Sequence, residues 1–459
     1  MPIERPETEL PRDESTTRIK DWVERHVGGQ VRAIERQGRW RPAWYLDVER
    51  DGAAVRLYVR GSRGPEFRGA EMLDHEYRIM RVLESEGIPV PHIYGMMADP
   101  AAIVMECAPG RESLATAEGD EERRSVLDDY IDILVAMHSI DVRRFEAMGV
   151  QIPTDAESIA LGLLREHEPR FRARQRRPEP MLDFIVRWVQ RNAPTHRFQP
   201  AFVHGDSGQF LFDRGRVTAV LDFELAQVND PLLDLASLRT RDLSEPLGDL
   251  TRALRRYAAL TGVEIDRAAL DYHTVQWALV TPLGVAPVVH DPPPGLDPIV
   301  YREWYLSTSR VCIEVIADRL GMVLPPPNMP PSRPTARTPL YESLLSTLGE
   351  LSTPSHYERY RIQTASQLTR YLARDDDLGP ALRDDEAEET SALLRRPVRR
   401  DEVRSDATEQ MLADLVNRAD PDRDPELAAF FHRRLMRDWL VIAPVATRMV
   451  KPLQPLGDL

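Results

Sequence analysis

The amino-acid sequence predicts an α+β protein in which a strand-rich N-terminal region precedes a longer, mainly helical region. Two β-rich runs flank Asp51-Gly52, which is a strong hairpin signal. From about residue 120 onward, apolar residues recur mostly at helical spacing. Seven prolines between positions 325 and 339 favour a stiff, extended linker. We therefore expect four segments: an N-terminal region over 1–108, a helical region over 109–322, a linker over 323–339 and a separate all-α helical domain over 340–459.

The local pattern predicts the elements in order. Apolar residues behind a Ser/Thr cap predict a helix over 15–28, and the hairpin follows over 44–61. A helix over 70–87 and a short strand over 101–107 complete the first region. Helical patterns then fill 120–200 and 233–321, with strands over 201–213 and 216–226 between them. Beyond the linker we expect helices over 341–351, 355–374, 407–419 and 425–450, and an exposed connection over the charged stretch 375–404.

Composition excludes several classes of protein. With 60 Lys and Arg against 74 Asp and Glu, the net charge of −14 argues against a nucleic-acid partner. The two cysteines are too few for a disulfide framework, and the apolar runs are too short to span a membrane. The polar, acidic N-terminus has no secretory pattern. We expect a cytoplasmic protein with neither a nucleic-acid nor a membrane partner.

Two carboxylates stand where two strands are predicted to end. Asp206 follows an apolar strand in a His-Gly-Asp triplet, and Asp222 ends the next strand. We expect these strands to be adjacent, so that both carboxylates lie together. One carboxylate can then orient an acceptor hydroxyl while the other holds Mg²⁺ against nucleotide phosphates, which is the arrangement phosphoryl transfer needs. Taken alone, a three-residue motif favours the plainer interpretation that both aspartates are turn and cap residues.

The wider pattern resembles the aminoglycoside phosphotransferase-like kinase superfamily, which includes choline-kinase-type enzymes. The resemblance covers about residues 15–320 and rests on the order of the following motifs: the helix with Glu76, the segments 87–95 and 104–112, His204-Gly205-Asp206, Asp222-Phe223-Glu224 and the segment 229–236. It implies a bilobal protein-kinase-like fold, with 1–108 as the smaller lobe and 109–322 as the helical larger lobe. It also implies an ATP-dependent phosphotransferase with ATP and Mg²⁺ as cofactors.

At the catalytic end, the resemblance implies that Asp206 is the catalytic base and that Asp222 is the main Mg²⁺ ligand. The superfamily has a metal-binding asparagine in the loop after the catalytic aspartate. Gln209 stands there in this chain, in a loop two residues shorter than usual. Glutamine keeps the carbonyl oxygen but adds a methylene, so either Gln209 reaches the metal or this second metal position is lost.

At the nucleotide end, the resemblance implies that Arg60 contacts phosphate, that Glu76 pairs with it, and that the main chain from Glu106 to Ala108 binds the adenine edge. The superfamily usually has lysine at the position of Arg60, but only two of the 60 basic residues here are lysines. Arginine keeps a permanent charge and can pair with both a carboxylate and a phosphate. The predicted phosphate loop over 38–44 has a single glycine, which is few for backbone cradling of phosphates.

An arginine-rich segment bears on the acceptor. Its charged residues are Arg165, Arg170, Arg172, Arg174, Arg176 and Arg177 against Glu166 and Glu168. Such a cluster would attract a phosphate-bearing substrate such as a CoA thioester, whereas a polycationic aminoglycoside would require acidic groups. The plainer interpretation is a solvated helix face. Together with Arg60, the cluster resembles the hydroxyacyl-CoA kinase branch, which is related to kinase domains linked to acyl-CoA dehydrogenases.

Three functions follow as alternatives. We predict ATP-dependent phosphorylation of a small-molecule hydroxyl, and the resemblance favours a hydroxyacyl-CoA thioester as the substrate. An aminoglycoside or macrolide antibiotic kinase is the alternative within the same class. A degenerate pseudokinase or nucleotide-binding scaffold is the alternative from another class, because Gln209 and the glycine-poor loop depart from the superfamily pattern. The helical domain over 340–459 could mediate oligomer or partner contacts.

Overall fold

The computed structural model describes residues 14–64, 69–447 and 451–459, which form two compact units. The sheet unit comprises the described residues up to Gln151 together with His204–Gln227 and Thr353–Arg361. The helical unit comprises Ile152–Val203, the stretch Val228–Ser352 and the described part of Ile362–Leu459. Most of the acidic N-terminal segment behind the cytoplasmic expectation, residues 1–13, lies outside the described residues.

The described residues contain fourteen α-helices and nine strands, numbered in chain order. The first half contains α1 (Glu14–His26), β1 (Gln30–Arg36), β2 (Ala43–Arg50), β3 (Ala53–Gly61), α2 (Gly69–Ser85), β4 (Ile93–Ala98), β5 (Ala101–Glu106), α3 (Asp120–His138), α4 (Arg143–Glu146), α5 (Ala156–Arg174), α6 (Pro180–Arg191) and β6 (Ala201–Val203). The second half contains β7 (Phe210–Asp213), β8 (Arg216–Val220), β9 (Gln227–Asn229), α7 (Leu232–Arg241), α8 (Leu250–Thr261), α9 (Arg267–His290), α10 (Pro298–Arg319), α11 (Thr338–Glu350), α12 (His356–Leu394), α13 (Asp406–Arg418) and α14 (Asp424–Ile442).

A five-stranded antiparallel sheet organises the sheet unit, with the strand order β1-β2-β3-β5-β4. The Asp51-Gly52 signal is confirmed, since these two residues form the turn between β2 and β3. Alternate residues such as Leu46 and Val48 point into the core, and Ile19 of α1 packs in the same cluster. The register of the hairpin places Arg60, on β3, opposite Ala43 of β2.

A short segment from far along the chain completes the sheet unit. The guanidinium carbon of Arg36 lies over the ring of Tyr357, 3.9 Å from the ring centroid. Nε2 of His356 lies 3.1 Å from Glu35. The turn between β1 and β2 fits closely here, because a Cβ added at Gly38 would lie 2.7 Å from the carbonyl oxygen of His356. Residues from the beginning of α12 therefore cover the edge strand and its turn.

The strands around the two aspartates pair differently from our expectation. β7 pairs with β8, and β6 pairs with β9, so the strands that precede Asp206 and Asp222 are not hydrogen-bonded neighbours. The alternation of apolar residues locates strands, but it does not identify their partners. The two aspartate loops are connected by side-chain hydrogen bonds instead, as described below.

The expectation of an exposed connection over 375–404 is wrong for most of that stretch. Helix α12 continues through it to Leu394. Leu378, Leu382 and Leu393 are buried on this helix, and its charged residues occupy the remaining positions. Because the acidic residues are dense, they hide this sparse apolar stripe in the sequence. At the other end of the region, α14 ends at Ile442, earlier than predicted, and residues 448–450 lie outside the described residues.

The fold class is confirmed as α+β, with a strand-rich N-terminal part and a helical remainder. The segment boundaries at residues 108, 322 and 339 stay predictions. Within the described ranges, no helix has both the length and the apolar character that crossing a bilayer requires.

An ion network around a buried carboxylate connects the C-terminal helices. Glu386 of α12 is 2% exposed and accepts from Arg404 at 2.8 and 3.0 Å, and it lies 2.9 Å from Arg434 of α14. Burial acts to raise the pKa of Glu386, but Arg404 and Arg434 outweigh it and hold this pKa at about 2. Because this value lies below the ordinary value of 4.5, the carboxylate contributes stability at neutral pH that is lost as the pH falls toward 2.

We predict that Glu386→Gln destabilises the protein by about 3–5 kcal/mol at pH 7, because it removes the buried anion that Arg404 and Arg434 share. Thermal unfolding followed by circular dichroism measures the effect. The control is Asp384→Asn, whose partner Arg400 is an exposed residue on the same region, and it should unfold close to wild type. The difference between wild type and Glu386→Gln should shrink below pH 4.5. Equal midpoints for the two variants at pH 7 would contradict the prediction.

Candidate active site

Arg60 is the centre of a buried ion network in the sheet unit. Its Nε donates to Glu76 of α2 at 2.9 Å. Its Nη2 donates to Asp222, which lies two residues beyond the end of β8. The side chains of Arg60 and Glu76 are 8% and 1% exposed. The structure thus brings together three residues that the sequence selected, and each comes from a different part of the chain.

Burial and charge act in opposite directions in this network. Burial is the largest influence on Arg60 and lowers its pKa, but Asp222, Glu76 and Glu224 together raise that pKa well above its ordinary value. Burial raises the pKa of Glu76, and Arg60 opposes that rise. The N–H of Phe223 donates to the second oxygen of Glu76 at 3.2 Å. With a permanent guanidinium charge on one oxygen and an amide on the other, Glu76 is the carboxylate that fixes Arg60 in place.

Three charged residues that the sequence analysis did not assign to the site also belong to this network. Arg41, in the turn before β2, donates to Glu224, and so does Arg63, which follows β3. Their side chains are 2% and 14% exposed, and that of Glu224 is 11% exposed. Glu224 ends the Asp-Phe-Glu motif and Arg41 lies in the predicted phosphate loop, so both had a positional signal. Arg63 had none in a chain whose basic residues are almost all arginines.

Three carboxylates of the network could hold a metal ion. One oxygen from each of Glu76, Asp222 and Glu224 lies within 4.8 Å of the others. Carboxylate oxygens are the ligands that Mg²⁺ prefers, so this donor set fits the cation that the sequence predicts. The backbone of Asp222 has a φ of +66°, which is uncommon for a residue with a side chain. Strain of this kind is concentrated at functional sites.

The loop that carries Asp206 is held by a buried histidine. Nε2 of His204 lies 2.8 Å from the carbonyl oxygen of Leu221 and 3.2 Å from that of Asp222, so this nitrogen carries the proton and donates. Nδ1 of His204 accepts from the hydroxyl of Tyr130 at 3.2 Å. The same hydroxyl accepts from the N–H of Gly208 at 2.7 Å. His204 therefore connects the loop to the strand end at Asp222.

Asp206 and Gln209 are neighbours at the tip of this loop. Nε2 of Gln209 donates to Asp206 at 2.5 Å. The main-chain carbonyl of Gln209 accepts from the N–H of Leu221 at 2.9 Å, which fixes the short loop to the end of β8. Because the amide nitrogen of Gln209 faces Asp206, its carbonyl oxygen is the atom that could contact a cation.

The predicted adenine-binding segment continues from the end of β5. The N–H of Glu106 donates to the carbonyl of His92 at 2.8 Å, and the N–H of Cys107 donates to that of Arg56 at 3.0 Å. Neither amide is therefore available to a base. Within the described ranges, the N–H of Ala108 has no hydrogen-bond acceptor. Of the three residues in this segment, Ala108 is the one whose amide could bind a ligand.

The chain matches the model of a known protein family. The model of the phosphotransferase enzyme family named APH matches residues 34–273, which include all of the site residues described above. The chain belongs to the APH phosphotransferase family. This phosphotransferase is therefore a kinase-type enzyme by family, as the sequence predicts.

Relatives of this phosphotransferase include two acyl-CoA dehydrogenase family members. Family member 11 of Gallus gallus is 28% identical over 213 residues, which are 43% of this chain and 26% of that protein. Family member 10 of Mus musculus is 23% identical over 245 residues, which are 50% of this chain and 22% of that protein. The matched region thus spans about a quarter of the length of these relatives.

Solved structures of antibiotic kinases are also similar to this phosphotransferase. The macrolide 2′-phosphotransferase MphH of Brachybacterium faecium covers 64% of this chain and 97% of its own, at 19% identity and a TM-score of 0.45. The aminoglycoside 2′-phosphotransferase-IIIa, solved as a GDP complex, covers 67% of this chain and 100% of its own, at 18% identity and a TM-score of 0.45.

Most of the arginine-rich segment on and after α5 is neutralised within the helical unit. The ion pairs are Arg165–Glu157, Arg170–Glu166, Arg172–Glu168, Arg172–Asp183, Arg176–Asp291 and Arg177–Asp406. Several of these side chains are more than 40% exposed, so the pairs are solvated. This geometry favours the plainer interpretation of a solvated helix face, and the segment alone does not define an anion site.

Gly205 allows the loop that carries Asp206 to pass close to the next strand end. Its φ is +81°, and an added Cβ would lie 2.2 Å from the carbonyl oxygen of Leu225. Gly52 provides a matched control, because its φ is +77° but no described atom lies within 4 Å of its Cβ position.

We predict that Gly205→Ala destabilises the protein by about 1–3 kcal/mol more than Gly52→Ala does. Both variants force a side chain into the left-handed region, but only the first also creates a backbone clash. Denaturant unfolding of the two variants and wild type measures the difference. Equal destabilisation would mean that the loop can move away from Leu225 at no cost.

Proposed function

We propose that this phosphotransferase transfers a phosphoryl group from ATP to the hydroxyl of a small molecule. The observation that carries the proposal is the buried network in which Arg60 is fixed between Glu76 and Asp222. A permanent positive charge, held in place before any ligand arrives, can stabilise the negative charge of transferring phosphate without reorganisation. Such an arrangement is costly for stability alone, since buried ion pairs rarely repay their desolvation.

The described residues include candidate metal ligands, a candidate phosphate contact and candidate hydrogen-bonding groups for adenine. When bound, ATP would supply the phosphoryl group and Mg²⁺ would neutralise charge on the phosphates. Asp222 is the proposed main metal ligand, and the carbonyl oxygen of Gln209 is a candidate for the second. Arg60 would contact phosphate. On extended backbone, the carbonyl of one residue and the N–H two residues later face the same side, so Glu106 and Ala108 could together bind the adenine edge.

Asp206 is the proposed catalytic base. Its carboxylate accepts from Gln209, and its loop is fixed by hydrogen bonds through His204 rather than by charge. An aspartate held in this way can accept a hydrogen bond from the acceptor hydroxyl and orient it for attack. In phosphoryl transfer such positioning contributes more than proton removal, because little covalent chemistry falls to the protein.

For the acceptor we propose a hydroxyacyl-CoA thioester. The support is that the relatives named above are acyl-CoA dehydrogenase family members. An enzyme that phosphorylates a chain hydroxyl would convert a poor leaving group into a good one. The paired arginines near α5 add no further weight to this choice.

We predict that the wild type phosphorylates a hydroxyacyl-CoA and that Asp206→Asn lowers turnover by about 10²–10⁴-fold. Nucleotide affinity should be unchanged, since Asp206 acts on the acceptor. Product mass and ADP release are measured with hydroxyacyl-CoA thioesters of several chain lengths, one aminoglycoside and one macrolide. Asp213→Asn is the control, because Asp213 is a half-exposed carboxylate at the end of the following strand. Transfer to an antibiotic alone would overturn the acceptor, and equal turnover in Asp206→Asn would overturn the mechanism.

We predict that Mg²⁺ increases the stabilisation of the wild type by ATP and that Asp222→Asn loses this increase. A nucleotide that binds only the folded state raises the unfolding midpoint, and one present at a hundred times its Kd stabilises by about 2.7 kcal/mol. A thermal-shift titration with and without Mg²⁺ measures this, with each variant compared against its own ligand-free midpoint. No shift of the wild type at millimolar ATP would instead indicate a degenerate kinase.

A further inference from the structure

Three guanidinium groups converge on one carboxylate in the sheet unit. Arg41 and Arg63 donate to Glu224, and Arg60 lies 3.8 Å from it. Guanidinium groups gathered around one carboxylate also repel one another, so they require nearby anions. Glu224 is the anion that all three share, and Glu76 and Asp222 bind Arg60 from its other sides. The cluster therefore contains three positive and three negative groups.

The hairpin brings the arginines together. Ala43 is the register partner of Arg60, and the N–H of Gly61 donates to the carbonyl of Pro42 at 2.8 Å. This bond continues the pairing beyond the ladder on both strands. Arg41 lies two residues before Ala43 and Arg63 lies three residues after Arg60, so both arginines lie beyond the same end of the hairpin.

An indole ring supports the two outer arginines. The guanidinium carbons of Arg41 and Arg63 lie 5.4 and 5.2 Å from the ring centroid of Trp40. Contacts of this kind hold a guanidinium in a fixed orientation. The two arginines are therefore positioned before a ligand binds.

Arg41 is incompletely satisfied within the described residues. Its side chain is 2% exposed, yet its Nε has no hydrogen-bond acceptor there. Burial, followed by the charge of Arg60, lowers its pKa. A buried donor without a partner is rare in folded proteins, and an anionic oxygen would complete the set.

We propose that Arg41 and Arg63 form, with Arg60, a polyphosphate site that replaces the backbone cradle of a glycine-rich loop. This inference rests on the proposed function and names further residues of the same nucleotide site. The turn before β2 has one glycine, so it offers few close backbone amides, but a guanidinium binds phosphate oxygens through two parallel hydrogen bonds. Three such groups can contact several phosphates of one chain.

Glu224 is then the internal anion that a polyphosphate displaces. In the ligand-free protein, Glu224 neutralises Arg41 and Arg63. A phosphate chain must replace Glu224 as the partner of these two arginines. A carboxylate released in this way would be left buried and unpaired unless a cation joined it. Polyphosphate without metal therefore competes with Glu224, and a metal ion relieves that competition.

Calorimetric titration of the full chain with inorganic tripolyphosphate and with ADP tests this, each with EDTA and with Mg²⁺. We expect Arg41→Gln and Arg63→Gln to weaken tripolyphosphate binding about tenfold or more, because each removes charged hydrogen bonds. Arg32→Gln is the control, since it removes one exposed arginine from the same sheet. If Arg41→Gln does not fold, Arg63→Gln alone tests the proposal. Arg63 is the less buried of the two, so its substitution disturbs the fold less. Wild-type affinity in both variants would overturn the proposal.

The variant Glu224→Gln distinguishes competition by Glu224 from a general effect of positive charge on phosphate binding. With EDTA present, the variant should bind tripolyphosphate about tenfold more tightly than wild type, because the competing anion is gone. With Mg²⁺ present, this gain should disappear. Unchanged or weaker binding in EDTA would overturn the role of Glu224. A wild type that binds ADP but not tripolyphosphate would overturn the polyphosphate site alone, whereas one that binds neither would overturn the proposed function.

Discussion

The buried charge of Arg60 is the constraint on which the candidate site depends. A guanidinium cannot lose its proton at any ordinary pH, so a chain that buries one must surround it with anions. Glu76 comes from a helix, and Asp222 follows a strand far along the sequence. Satisfying one side chain therefore fixes three parts of the sheet unit against each other. A lysine would present a single point charge, whereas separate nitrogens of Arg60 bind separate carboxylates.

Ion pairs hold one part of the candidate site, and hydrogen bonds hold the other. Charge is concentrated around Arg60 and Glu224, where phosphates are proposed to bind. The loop with Asp206 is instead held by hydrogen bonds rather than ion pairs, through the hydroxyl of Tyr130 and the imidazole of His204. Hydrogen bonds can hold this loop without neutralising the carboxylate of Asp206. This separation lets one part of the site stabilise negative charge while the other keeps an anion available.

The sequence predicted the local features well, because they depend on short-range rules. The hairpin at Asp51-Gly52 and the first helix could be anticipated from period and turn chemistry. The pairing of Arg60 with Glu76 could be anticipated only from the family resemblance. Arg63 could not, since an arginine carries little information in a chain where nearly every basic residue is one. The pairing of β6 with β9 was missed because alternation does not specify a strand's partner. The helix over 355–374 was predicted, but its continuation to Leu394 was missed because its buried Glu386 is satisfied by arginines that are distant in sequence.

The segment Thr353–Arg361 has a consequence for how the chain must be made. It belongs to the sheet unit, yet most of the helical unit is encoded before it. During synthesis, the edge strand and its turn leave the ribosome long before His356 and Tyr357 exist to cover them. The sheet that forms early therefore has an uncovered edge. That edge is covered only when the distant segment Thr353–Arg361 packs against it. Neither unit is continuous in sequence, so no single cut of the chain separates them intact.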